Sequence, residues 1–147
     1  MADPIDAATG SLYIPATDMR LPDFYEDYKV TRKYESINKR KGMLGYGWTC
    51  SLESLLSDRG GKCLILCTDG HVETFSKRDG SWYNDKGRTR RMELTESENE
   101  WILYDALERL HYIYDKHGRL IQIREKHGKT SDYVYENDVL TAVCKRS

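Results

Sequence analysis

Along this chain apolar side chains alternate with polar ones over short runs far more often than they recur at helical spacing. Residues 109–143, RLHYIYDKHGRLIQIREKHGKTSDYVYENDVLTAV, show the pattern best. Leu110, Tyr112 and Tyr114 share one face of a strand. Lys116-His117-Gly118-Arg119 then turns the chain, and Leu120 to Arg124 returns it. A second turn follows at Lys126-His127-Gly128-Lys129. The unit then recurs, with Tyr133 and Tyr135 in the places of Tyr112 and Tyr114. Tyr114 to Tyr135 spans 21 positions, and Leu120 to Leu140 and Ile123 to Val143 span 20 each. Self-similarity at this period signals one supersecondary unit stacked on the next.

The rest of the chain reads as further short strands. Ser11 to Pro15 and Asp18 to Pro22 are two extended pieces, the second ended by proline. Phe24 to Glu35 is the strongest strand of the first half: Phe24, Tyr28, Val30 and Tyr34 lie on one face, and Asp27, Lys29, Thr31, Lys33 and Glu35 on the other. Ser51 to Leu56 fits both a helical stripe and a strand, and its brevity favours strand. Cys63 to Thr68 is a nearly continuous apolar run, the pattern of a strand buried on both faces. Asp69-Gly70 and Asp79-Gly80 are hairpin turns, with His71 to Phe75 returning from the first. Met92 to Thr95 and Trp101 to Tyr104 are strands, and Asp105 to Glu108 is open to a turn of helix. The expected fold is all-β, a meander of short antiparallel hairpins stacked as repeats, with little or no helix.

Composition narrows the function classes. The 147 residues suffice for one modest core. A formal net charge of −1 lacks the basic excess that a nucleic-acid groove or polybasic membrane surface needs. No apolar run is long enough to span a bilayer, so membrane insertion is not expected, and Met1 to Gly10 lacks the charge and apolar pattern of a signal peptide. Eleven Tyr against two Phe suit half-buried pleated surfaces, ring packed and hydroxyl wet.

Candidate chemistry is sparse. Cys63 and Cys67, four apart in a strand, lie roughly 13 Å from each other, too far to share a metal or form a bridge. Cys50 and Cys144 have no metal-ligand spacing, so the four cysteines read as reduced thiols. His117 and His127 precede turn glycines, and His111 sits on a polar face. The basic turn Asn38 to Gly42 reads as solvated, and Gly45-Tyr46-Gly47-Trp48 lacks the further residues of a phosphate loop. No catalytic, cofactor-binding or metal residue is assigned, and no cofactor is expected.

Two groups of motifs point further. Tyr112-x-Tyr114-Asp115-x-x-Gly118-Arg119-Leu120 resembles the tyrosine–aspartate (YD) repeat of Rhs proteins, large bacterial toxin-delivery proteins with distant relatives among animal teneurins. The second copy departs from it: Glu136 stands in place of the Asp, and Asn137-Asp138-Val139 shortens the Gly-Arg step. At the other end, Asp3-Pro4-Ile5-Asp6 through Thr9-Gly10 is followed by Leu21-Pro22, then Arg32-x-Tyr34-x-Ser36 and Gly45-x-Gly47-Trp48. That order resembles the domain that opens the Rhs core.

The resemblance implies residues 1–108 as a core-opening β domain and 109–147 as YD-type hairpins packed continuously on it. It implies a non-catalytic structural module, part of a shell enclosing a toxin in bacterial competition and a fragment of a larger exported or cell-surface protein. The motif residues are then structural: Asp3, Pro4, Asp6, Gly10, Arg32, Tyr34, Gly45, Gly47, Trp48, Tyr112, Tyr114, Asp115, Gly118, Arg119, Leu120, Gly128, Tyr133 and Tyr135. Expected partners are further YD repeats or another chain, a second copy included, on the exposed sheet edge. A surface module binding carbohydrate or protein through Tyr46, Trp48, Trp82 and Trp101 is the alternative. A hydrolase or nuclease would instead need His and acidic side chains converging in one pocket.

Overall fold

The structure, a computed structural model, describes residues 5–22, 28–87 and 91–146. Antiparallel strands make up most of it, with one short 3-10 turn at Lys126–Gly128 and no α-helix among the described residues. The all-β expectation holds. Contacts divide the chain into two units, Met1–Glu53 with Cys67–His71, and Ser54–Leu66 with Val72–Ser147.

The first unit holds β1 (Tyr13–Leu21), β2 (Tyr28–Glu35), β3 (Lys41–Gly42), β4 (Gly45–Tyr46) and β5 (Trp48–Cys50). β2 lies between β1 and β5, and β3 and β4 form a small ribbon. The two extended pieces expected at 11–15 and 18–22 are one strand. What separates them is a register shift between Thr17 and Met19 that leaves Asp18 unpaired. Pro15 fits because β1 is an edge strand whose missing N–H leaves no ladder bond broken. Of the strand expected from Phe24, Phe24 to Asp27 lie outside the described residues and Tyr28–Glu35 is observed.

The second unit begins with a meander: β6 (Leu55–Asp58), β7 (Lys62–Leu66), β8 (Val72–Arg78) and β9 (Ser81–Asn84) pair in sequence order. A second meander follows: β10 (Met92–Glu96), β11 (Glu100–Asp105), β12 (Leu110–Asp115), β13 (Leu120–Arg124), β14 (Thr130–Glu136) and β15 (Val139–Arg146). Cys63, Ile65 and Phe75 are fully buried from the first meander, and Leu103, Ile113, Tyr114 and Leu120 from the second. Fully burying an apolar side chain of this size is worth roughly 1.5–3 kcal/mol, which sets the scale of what Phe75 contributes to this core.

Three local expectations need correction. β7 is not buried on both faces: Cys63 and Ile65 point inward while Leu64 and Leu66 are half-buried, and the strand ends at Leu66. Ser51–Leu52 is a turn and the strand begins only at Leu55; Ser54 between them is buried, its hydroxyl bonded to the Leu66 carbonyl and to Tyr114. Asp105 to Glu108 forms no helix. Asp105 Oδ1 instead accepts the amides of Leu107 and Glu108, and Arg109 takes the left-handed φ of 57° that glycine usually fills.

The same device closes other turns. The side-chain oxygens of Asp6, Asn38, Asp58, Asp69, Asn84 and Asp115 each accept an amide two residues on. Much of the chain's acidic character at turns is therefore turn chemistry, a carboxylate or amide doing locally what a backbone carbonyl would.

Candidate functional site

In the first unit the motif pieces converge. The Asp6 amide donates to the Ser11 carbonyl, the Gly10 amide donates to Asp6, and Asp6 Oδ1 accepts from Ala8. Asp6 and Gly10 thus close one loop, Gly10 at a φ of 68°. Ser36 Oγ accepts the Leu12 amide at 2.8 Å, tying this loop to the end of β2. Arg32 Nε donates to both oxygens of Asp18 at 2.8 Å, and the guanidinium lies 4.9 Å from the centroid of the Trp48 ring. Tyr34 meets Trp48 at 5.4 Å between centroids. A Cβ on Gly47 would sit 2.6 Å from Cε2 of Tyr34, so glycine there lets the turn pass beneath the ring. Gly45 has a φ of 109° with open space around it, a purely conformational requirement. Asp3 and Pro4 lie outside the described residues.

In the second unit the two repeat copies share one register. Tyr112 pairs with Ile123 and Tyr114 with Leu120, the shift leaving Ile121 as the extra residue. Tyr133 pairs with Val143 and Tyr135 with Leu140, leaving Thr141 extra. Both copies thus bulge at the residue after the repeat leucine. A bulge adds local twist, so the two hairpins curl in the same way.

Arg119 joins the copies. Its Nε donates to Asp115 Oδ2 at 2.9 Å, its Nη1 to Asp138 Oδ1 at 2.7 Å, and its guanidinium lies 5.2 Å from the Tyr135 ring centroid. Tyr135 in turn donates its hydroxyl to the Leu120 carbonyl at 2.7 Å. Burial alone would raise the Asp115 carboxyl, but the amides of Arg119 and His117 and the Arg119 guanidinium outweigh it and hold the group below the usual aspartate range. Tyr133 is buried, while Gly128 lies in the 3-10 turn at a φ of 81° with nothing near it.

Beneath the first copy lies β6. The Leu56 amide donates to the Gly118 carbonyl at 2.9 Å, and Leu55 bridges to Arg119. A Cβ on Gly118 would fall 1.8 Å from the Leu56 carbonyl oxygen. Tyr114, fully buried, shares a 2.7 Å hydrogen bond with Ser54 Oγ, which donates to the Leu66 carbonyl.

The aromatic side chains set apart for recognition are mostly engaged. Trp101 is buried against Trp82 at 5.4 Å, and Lys77 Nζ lies 5.6 Å from the centroid of the Trp82 ring. Trp48 packs with Tyr34 and Arg32, leaving Tyr46, 69% exposed, as the one open ring of the four. A groove of about 1350 Å³ runs between residues 77–87 and 92–98. Its Tyr83 ring has the Arg78 guanidinium 4.9 Å away. Glu96 accepts from Trp82 Nε1 at 2.9 Å and from Lys77 at 3.1 Å, which holds its carboxyl below the usual glutamate range.

His71 Nδ1 bonds Asp69 Oδ1, and His111 stacks on Tyr104 at 4.5 Å. Among the described residues no group of three or more His, Cys, Asp or Glu side chains is placed to hold a metal ion. No helix among them is long and apolar enough to cross a membrane.

The structure thus gathers Asp6, Gly10, Arg32, Tyr34, Gly47 and Trp48 in one unit and Tyr114, Asp115, Gly118, Arg119, Leu120 and Tyr135 in the other. Sequence reasoning missed Ser54, which leaves no periodic trace, and Asp105. The latter had a readable signal: Tyr104-Asp105 with Arg109-Leu110 spells the same pattern as Tyr114-Asp115 with Arg119-Leu120, ten positions earlier. Asp105 is buried and receives Arg91 Nη2 at 3.3 Å.

Residues 2–75, half of the chain, match the family model of a domain of unknown function, DUF6531. Among curated proteins none matches the chain.

Proposed function

The chain belongs to the DUF6531 family, and we propose that it is a non-catalytic structural module, similar to the opening part of an Rhs/YD-repeat shell. In this reading it is part of a larger exported protein whose stacked hairpins wall off a toxin used in bacterial competition. The observation that carries the reading is the shared bulge: two hairpins with one register and one curl are what a repeating wall requires. Arg119 supports it too, because a residue whose partners lie in both copies favours stacking over a free-standing hairpin.

The partner surface is β15. Edge strands are commonly protected by charge, proline or a bulge. β1 carries Pro15 and the Asp18 irregularity, and β10 carries Glu93 and Glu96. β15 has its bulge, and its charges, Lys145 and Arg146, are confined to its end. Residues 139–144 form an uncharged edge with Val139 63% exposed. A further repeat or another chain extends the sheet there. A binding module with a row of open rings is less well supported, because Trp48, Trp82 and Trp101 all pack against neighbours.

Sedimentation over rising concentration tests the reading. The wild-type chain is expected to associate, and Val139→Lys with Ala142→Lys to hold it monomeric. A strictly monomeric wild type, or association that ignores both lysines, contradicts the edge-pairing assignment.

A further inference from the structure

The turn between β3 and β4 is made of Met43 and Leu44, each 47% exposed. Other turns of the chain, Asp69-Gly70 and Asp79-Gly80 among them, use residues that suit both the turn backbone and water. Two large apolar side chains at a turn instead keep about half their surface in water rather than in a core. Folding has no use for them there.

The register orders the hairpin behind this tip. Gly42 pairs with Gly45, and Lys41 with Tyr46. Tyr46 is open to solvent, and Lys41 Nζ lies 5.7 Å from its ring centroid. At the rise of a strand, two residues set this pair roughly 7 Å behind the apolar tip. Lys39 and Lys41 are exposed, and neither forms an ion pair among the described residues. Arg40 between them does. Its partner is Glu53, which is 8% exposed and also accepts the Met43 amide at 3.4 Å. The Gly47 amide donates to the Arg40 carbonyl at 3.1 Å, and a Cβ on Gly42 would lie 2.6 Å from the Trp48 carbonyl oxygen. The base of the hairpin is thus held while its tip stands free.

We propose that the β3–β4 hairpin docks on a bilayer surface rich in anionic lipid, with Met43 and Leu44 dipping beneath the headgroups. The layers correspond: hydrocarbon at the tip for the acyl boundary, the amphipathic Tyr46 ring at interface depth, and two free ammonium groups at the level of the lipid phosphates. The reach of the tip falls within the roughly 5–10 Å to which interfacial elements sink. Charge decides the kind of lipid. With Arg40 neutralised by Glu53, the hairpin's free charge is that of two lysines, which anionic headgroups complement and zwitterionic ones do not. The chain's net charge of −1 does not oppose this, because only charges within a Debye length, about 10 Å, of the bilayer act strongly. The contact is shallow and reversible, not a span. It is independent of the edge-pairing assignment and survives if that fails.

Co-sedimentation of the full chain with vesicles of phosphatidylcholine, with and without phosphatidylglycerol, is the test. Binding is expected on the mixed vesicles, and is expected to weaken by about tenfold or more on phosphatidylcholine alone and at high salt. Met43→Ser with Leu44→Ser is expected to keep the thermal stability of wild type and to weaken vesicle binding by about tenfold or more. Lys39→Gln with Lys41→Gln is expected to weaken it by about tenfold as well. Four results overturn the proposal: no binding to the mixed vesicles; equal binding to both kinds of vesicle; binding that ignores either pair of substitutions; or serines that destabilise the chain or abolish a self-association seen without lipid, which make the tip a packing or chain-to-chain contact.

Discussion

Replacing Gly118 with alanine tests how the first hairpin is seated. Two separate costs arise. Gly118 has a φ of 86°, and an L residue held in left-handed backbone costs roughly 1–2 kcal/mol. The added Cβ would also lie 1.8 Å from the Leu56 carbonyl oxygen, which is backbone and cannot swing aside. Relieving that overlap moves β6 off the turn. The move costs an overpacking strain of about 1–3 kcal/mol and weakens the Leu56–Gly118 hydrogen bond, worth about 1 kcal/mol. The expected loss is about 3–6 kcal/mol, a large share of a typical domain's stability. Gly128→Ala is the control: its φ is 81°, yet nothing stands within 4 Å of its Cβ position, so only the backbone cost of about 1–2 kcal/mol applies. Urea unfolding followed through Trp82 and Trp101, in the same unit, reads the difference as a midpoint lower by about 1–2 M for Gly118→Ala than for Gly128→Ala. Equal losses in the two variants would refute the seating of β6 beneath the turn.

Other expectations follow from single groups. Tyr114→Phe removes the hydroxyl shared with Ser54 in a site closed to water, and thermal unfolding is expected to show a loss of about 1–2 kcal/mol. Asp115 titrates below its ordinary range in the folded chain, so its stabilisation is complete above the usual aspartate pKa and is lost as pH falls through the lowered folded value. Asp115→Asn is therefore expected to be less stable than wild type near neutrality, the gap closing as unfolding is repeated towards strong acid; a gap constant with pH would contradict it. Burial pushes the Cys63 thiol up to about 12, while Cys144 is exposed on β15. A chromogenic disulfide reagent near pH 8 is expected to label Cys144 at once, and Cys50, Cys63 and Cys67 only on unfolding.

Turns and repeat register were the most legible parts of this fold, each for a physical reason. Asp69-Gly70 and Asp79-Gly80 announce themselves because positive φ is cheap for glycine, as at Gly70 and Gly80, while Asp79 takes a left-handed φ of 51° and Asp69 accepts the His71 amide. The Tyr114–Leu120 and Tyr135–Leu140 correspondence was readable as spacing, because a bulge repeated in the fold repeats in the sequence. The bulge itself was not, since Ile121 and Thr141 have nothing in common but position. Pro15 and Pro22 made one strand look like two, as proline marks an edge and a break alike. Arg109 hid a turn by taking the glycine conformation without the glycine.

Least legible were the non-local bonds. Ser54 and Tyr114 are 60 positions apart, and nothing in either segment advertises the other. Of the candidate residues, Arg119 was legible as part of a motif but not as a link between copies, because its second carboxylate, Asp138, sits in the copy that departs from the pattern.

A wall of stacked hairpins requires β15 to be a place where another strand belongs. The most direct measurement extends the chain after Ser147 with a copy of residues 110–129 and follows amide hydrogen exchange along Val139–Arg146. If the hairpins build a wall, the outward amides of β15 slow markedly and the unfolding midpoint rises, as each added repeat brings a new interface. If those amides exchange as before and the added residues stay unprotected, the edge is no docking strand and the account fails.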